Sequence, residues 1–202
     1  MSHGTPRRGG GNRPASRSVL GMELREVGRV SVRIDGPVSR HSVVVLPGAG
    51  EDLDRYTALC ERLHNSELRT VVVASTATPA DVTAVVRELG LTWANLLGNG
   101  TGATLAWQVA ARGAGIYGSL TVIDRGHPAV PDAAGQVLES ACPPVEMPTT
   151  MLLGPNADPK VAELSGRRVY ADFRVVHVAA ADVVKDAMRE LATEVALRTT
   201  PW

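Results

Sequence analysis

Two hydrophobic rhythms divide this chain. Across Met22-Glu-Leu-Arg-Glu-Val27 and Arg29-Val-Ser-Val-Arg-Ile34 apolar and polar positions alternate, with Gly28 between the two runs. A period of two sends one set of side chains to a core and the other to water. This predicts an antiparallel hairpin with one wet face. From residue 43 onward the rhythm changes: strands are read at 93–97, 119–123, 149–153 and 173–178, and 43–46 and 70–74 are short, largely unbroken apolar runs. Runs of that length with no polar alternation are expected of strands buried on both faces. Between them lie helical stripes: Leu53, Tyr56, Leu59, Cys60 and Leu63; Val82, Val85, Val86 and Leu89; the segment 103–112; and Val184, Met188, Leu191 and Val195. Thr78 is placed to cap the second of these, with Pro79 at its first position, Asp81 in its first turn and Gly90 at its stop.

Strands alternating with helices predict an α/β fold, a mostly parallel central sheet with helices on both faces. The leading hairpin supplies an antiparallel edge. Residues 126–148 are rich in proline, glycine and alanine and show little periodicity. Residues 1–18 are dominated by glycine, proline and arginine and read as a disordered tail. Residues 19–202 then form a single domain, a size that supports a sizeable core.

Composition narrows the partners. The formal net charge is zero over 202 residues, which argues against nucleic acid or an anionic membrane. No run approaches the roughly 20 apolar residues that cross a bilayer. Cys60 and Cys142 are too few for a disulfide framework, so a cytoplasmic setting is expected. No metal-ligand spacing occurs, and no cofactor is expected. His64 is placed near a helix C-terminus, Trp93 and Trp107 in the core, and Glu51-Asp52 at the start of the following helix.

The most informative stretch is Gly98-Asn-Gly-Thr-Gly102, between a strand and a helix. It fits a nucleophile elbow, Gly-x-Ser-x-Gly, in which the central residue projects from a turn so sharp that its neighbours must be small. Here Gly100 stands at the centre. It also fits a dinucleotide fingerprint, Gly98-x-Gly100-x-x-Ala103, with Asp124 closing the next strand. Against the second, the turn follows strands that already belong to the same sheet. A third reading needs glycine for steric reasons alone.

On these segments the chain resembles the α/β-hydrolase family over about residues 22–198. Val43-Val-Val-Leu-Pro-Gly-Ala-Gly50 is similar to the family's first parallel strand and oxyanion loop. Residues 86–98 look like the helix and strand that enter the elbow, and 120–124 like the strand after the elbow helix. Pro148-Thr-Thr-Met-Leu-Leu-Gly-Pro-Asn-Ala-Asp158 resembles the strand and loop of the acidic triad member. Residues 126–148 would be a very short cap. The resemblance implies Gly100 at the nucleophile position, with no side chain, and Asp158 at the acid position. The histidine is expected a few residues past the last strand, where the chain reads Ala179-Ala-Ala-Asp182; His177 lies about three residues early.

The expectation is an α/β-hydrolase-fold protein lacking serine and the usual histidine, a non-catalytic ligand-binding or protein-interaction module. Its candidate ligand is a small carboxylate or ester-like molecule at Gly48, Ala49, Gly98, Gly100, Thr101, Asp124 and His127. Backbone N–H groups near Ala49 and Thr101 would favour such an anion. The competing expectations are a hydrolase or esterase with an atypical site using Asp158 and His177 or His127, and dinucleotide binding at residues 98–103.

Overall fold

The computed structural model describes residues 17–19 and 22–199. Most of the stretch read as a disordered tail therefore lies outside the described residues. Two of its members, Arg17 and Ser18, instead belong to a short strand, β1 (Arg17–Val19). Then follow β2 (Met22–Val27), β3 (Val30–Asp35), β4 (Ser42–Leu46), a 3-10 turn (Leu53–Tyr56), α1 (Thr57–His64), β5 (Arg69–Val73) and α2 (Pro79–Glu88). The second half contains β6 (Ala94–Asn99), α3 (Thr101–Arg112), β7 (Tyr117–Ile123), β8 (Thr149–Leu153), α4 (Pro159–Gly166), β9 (Phe173–His177), α5 (Val183–Asp186) and α6 (Met188–Thr199).

All nine strands join one sheet in the order β1-β2-β3-β5-β4-β6-β7-β8-β9. The first three strands and the β3–β5 pair are antiparallel; every pair from β5 to β9 is parallel. Period-two alternation within the buried strands sorts the core into two layers. Val44, Leu46, Leu96, Leu120, Val122 and Met151 pack with α2, α3 and α4 on one face. Val43, Val45, Leu97, Ile123 and Leu152 pack with α1, α5 and α6 on the other. Thr78 and Asp81 form the expected reciprocal cap of α2. No helix among the described residues is long and apolar enough to cross a membrane.

Two local expectations need correction. Trp93 is neither strand nor core: its φ of 55° turns the chain just before β6 and leaves the ring 66% exposed. Trp107 is fully buried, as expected. Asp158 does not stand in an open loop after β8: it is the N-cap of α4, and Pro159 is that helix's first residue. β9 is an exposed sheet edge, with Arg174 and Val175 in solvent.

Residues 124–148 form no helix and no strand longer than a single bridge, Val145 to Val169. They are held instead by side chains. Trp107 Nε1 donates to the Arg125 carbonyl at 2.9 Å. Glu139 receives Gln108 at 3.0 Å and pairs with Arg112.

Candidate functional site

The turn from β6 into α3 lies at the C-terminal edge of the parallel strands, beside the loop that follows β4. Its glycines answer to different constraints. A Cβ on Gly102 would sit 1.9 Å from the Leu46 carbonyl oxygen, and one on Gly98 2.5 Å from Ala103 Cα. Neither position can hold a side chain. At Gly100 a Cβ would meet only Gly48 Cα, at an ordinary 3.5 Å. What marks Gly100 is its backbone, with φ 54° and ψ −122°, a region that costs residues with side chains strain. The chain turns sharply here, and position 100 presents only hydrogen to the space above it.

Beside that apex lies a cluster that sequence reasoning missed. The Glu51 carboxylate accepts the Gly48 N–H at 2.7 Å, the Tyr56 hydroxyl at 2.6 Å and Asn99 Nδ2 at 3.0 Å. Arg55 Nε lies 3.1 Å from Oε1, the oxygen that Asn99 reaches, while Gly48 and Tyr56 share Oε2. The far side of the same guanidinium reaches Asp182 at 2.6 Å. Glu51 therefore does not simply charge a helix start. It joins the loop after β4, the end of β6 and, through Arg55, the loop after β9. Burial raises the Glu51 pKa, but the hydrogen bonds from Tyr56, Gly48 and Asn99 and the charge of Arg55 outweigh burial and hold it below 4.5. Asp182 behaves alike: desolvation is overcome by Arg55 and by the Lys185 N–H that it caps. The Tyr56 phenol is fully buried, and burial with the adjoining carboxylate pushes its pKa well up.

Of the other predicted residues, Asp124 and Asp158 line one cavity, which neither His127 nor His177 joins. Asp158 accepts the Lys160 N–H at 2.9 Å as a helix cap. His177 ends the edge strand, exposed and without a hydrogen-bond partner among the described residues. His127 is 1% exposed rather than on a loop surface. Its Nδ1 accepts Ala129 N–H at 3.2 Å and its Nε2 donates to the Pro143 carbonyl at 2.9 Å. Its ring stands edge-on to Trp107, centroids 5.3 Å apart. With both nitrogens used it has nothing to offer a ligand. Burial lowers its pKa from 6.5 despite the Pro143 bond. Asp124 has φ 55° and accepts the Gly154 N–H at 2.6 Å, tying the ends of β7 and β8. Asp158 thus makes no hydrogen bond to either histidine. Among the described residues no group of three or more histidine, cysteine or acidic side chains is arranged to hold a metal.

The sequence matches no protein-family model and no curated protein. Solved structures do match. Dienelactone hydrolase from Anabaena variabilis aligns with 92% of this chain and 97% of its own, at TM-score 0.68 and 16% identity. Cfl2 from Burkholderia cenocepacia aligns with 93% of this chain and 100% of its own, at TM-score 0.74 and 12% identity. The chain has the α/β-hydrolase fold. A cold-adapted esterase from an Arctic intertidal metagenomic library shares that fold over 93% of this chain and 99% of its own, at TM-score 0.68 and 13% identity. In this chain the turn at 98–102 joins β6, the third strand of the parallel set, to α3, and the loops after β4, β8 and β9 open on the same edge of the sheet. The Glu51–Arg55 link carried one sequence signal, opposite charges four residues apart. Its extension to Asp182 carried none.

Proposed function

We propose that this chain is an α/β-hydrolase-fold protein without hydrolase chemistry, working as a ligand-binding or protein-interaction module in the cytoplasm. The observation that carries the reading is Gly100. In the nucleophile elbow of this fold the apex holds the serine whose hydroxyl attacks the carbonyl. Gly100 has the strained backbone suited to an apex and no oxygen. Acyl transfer also needs a base to activate the nucleophile and a partner to orient that base. The loop after β9 offers Asp182 rather than an imidazole, and Asp182 is occupied by Arg55. The ionised Glu51 beside Gly48 further opposes a developing oxyanion, because like charges repel where donors should converge. Two buried free thiols, Cys60 and Cys142, support a reducing compartment.

The test is direct. Purified protein is incubated with 4-nitrophenyl esters and with a fluorophosphonate probe, and neither turnover nor labelling above background is expected. Ester hydrolysis that disappears in Thr101→Val or Asp158→Asn would overturn the reading. The neighbours named as hydrolases and esterases favour a competing view, an enzyme built on Asp158 with His177 or His127. That view needs a carboxylate and an imidazole within hydrogen-bond reach, and Asp158 meets neither histidine. Dinucleotide binding is opposed by the packing of Gly98 and Gly102 and by the engagement of Asp124 with Gly154.

A further inference from the structure

One side of the Gly100 turn opens into a cleft of 450 Å³ between the loop after β5, the start of α3 and the 124–148 segment. That volume lies within the range of small-molecule sites. On the polar side of the cleft Thr78 and Gln108 are engaged with Asp81 and Glu139, and four more residues, Ser75, Thr101, Thr104 and Arg125, complete the lining; Leu105 and Leu138 are among its apolar walls. No aspartate or glutamate lines it. None of those four polar side chains hydrogen-bonds within the protein among the described residues, and the Arg125 guanidinium has no ion pair. Leu138 stands 62% exposed at the rim. Arg125 also lines a neighbouring cavity with Asp124, Asp132 and Asp158, whose carboxylates accept backbone N–H groups rather than the guanidinium. Asp124 holds Gly154 N–H, Asp132 holds the Ala134 and Gln136 N–H groups, and Asp158 holds Lys160 N–H.

We infer that this cleft binds a small amphipathic monocarboxylate, its carboxylate on Arg125 and the neighbouring hydroxyls and its apolar body on Leu105 and Leu138. The inference deepens the binding role proposed above and rests on it. A guanidinium with no internal partner pairs with a carboxylate through two parallel hydrogen bonds. Hydroxyl donors satisfy the remaining lone pairs. An apolar tail covers Leu138 and removes its side chain from water. A cationic ligand would meet Arg125 with no acid in the lining to offset the repulsion.

Sodium octanoate is the probe, with octanol and octylamine as the neutral and cationic controls. Calorimetry and thermal unfolding of the full chain are expected to show one octanoate site and a raised Tm, and no octylamine binding. Arg125→Ala is expected to weaken octanoate about tenfold or more and to leave octanol unchanged. Its side chain is exposed and makes no hydrogen bond or ion pair among the described residues, so the variant should fold with a nearly unaltered Tm. Leu138→Asp should weaken octanoate and octanol alike. Octanoate binding that survives Arg125→Ala, or tighter binding of octylamine, overturns the inference. A flat octanoate titration without ester turnover removes this cleft and leaves the non-catalytic reading standing. Hydrolysis of 4-nitrophenyl octanoate alongside Arg125-dependent octanoate binding does the reverse.

Discussion

Gly98, Gly100 and Gly102 sit two positions apart, yet substitution should separate them sharply. Alanine at 102 drives its Cβ into the Leu46 carbonyl, a backbone atom that cannot rotate away. Gly102→Ala is expected to cost about 3 kcal/mol or more in urea unfolding. Gly100→Ala meets no atom closer than 3.5 Å and should cost only the strain of its positive φ, about 1–2 kcal/mol. Gly100→Ser should fold comparably and remain inactive toward nitrophenyl esters, since no imidazole stands ready to take its proton. A hydrolysis rate restored by that single change would show a base that the hydrogen bonds do not reveal. His127 gives a pH-dependent case. Its folded pKa lies below 6.5 because burial penalises the imidazolium. The unfolded chain therefore binds the proton more readily, and the stabilisation present above pH 6.5 is lost as the pH falls. His127→Phe should flatten that part of the urea-midpoint profile; an unchanged slope would assign it to another group.

Among the connecting loops, the chain of contacts Glu51–Arg55–Asp182 ties the start of the α1 region to the start of α5. Arg55→Met leaves two carboxylates facing each other without their cation. Because Arg55 and Asp182 are both about a third exposed, the loss should be modest, about 1 kcal/mol, and smaller in high salt. Hydrogen exchange should quicken in residues 47–56 and 178–186, and protection unchanged in both would refute the tether. Glu51 and Asp182 both have depressed pKa values, so their contribution is whole above the unfolded values and is lost as pH falls below about 4.5. The α2 cap follows the same sign: Asp81 is held at about 2 by Thr78 and Arg29, and its support is lost progressively as the pH falls from its ordinary value of 3.8 toward 2. The α2 cap was legible from Thr78, Pro79 and Asp81 because capping is local in sequence. The Glu51 cluster was not, because Tyr56, Asn99 and Asp182 reach it from three separate elements.

Across the molecule, two helical layers enclose a sheet whose strands were nearly all visible as apolar runs. Their order was not. β3 lies beside β5 rather than β4, an arrangement set by how the crossovers pass over the sheet. The edge character of β9 also escaped a pattern reading, since Phe173-Arg-Val-Val-His177 carries the residues of a half-buried strand wherever it sits. The enclosure has a chemical consequence for the two thiols. Burial raises the pKa of Cys60 and of Cys142, so both should resist Ellman's reagent in native protein and react on unfolding. Rapid labelling of either under native conditions would mean that its layer opens.

Some properties of this protein are carried by residue identity alone. Position 100 has no nucleophilic atom and residues 179–182 no imidazole, whatever fold surrounds them, because reactive groups belong to side chains. Periodicity likewise dictates where strands and helices form, since burial of a face is a local requirement on the chain. The fold decided the rest: that Asp158 caps a helix, that His127 is sealed against Trp107, and that Arg55 meets Asp182 across a separation of 127 residues. Those are contacts between distant segments, and they exist only once the crossovers have stacked both helical layers on the sheet.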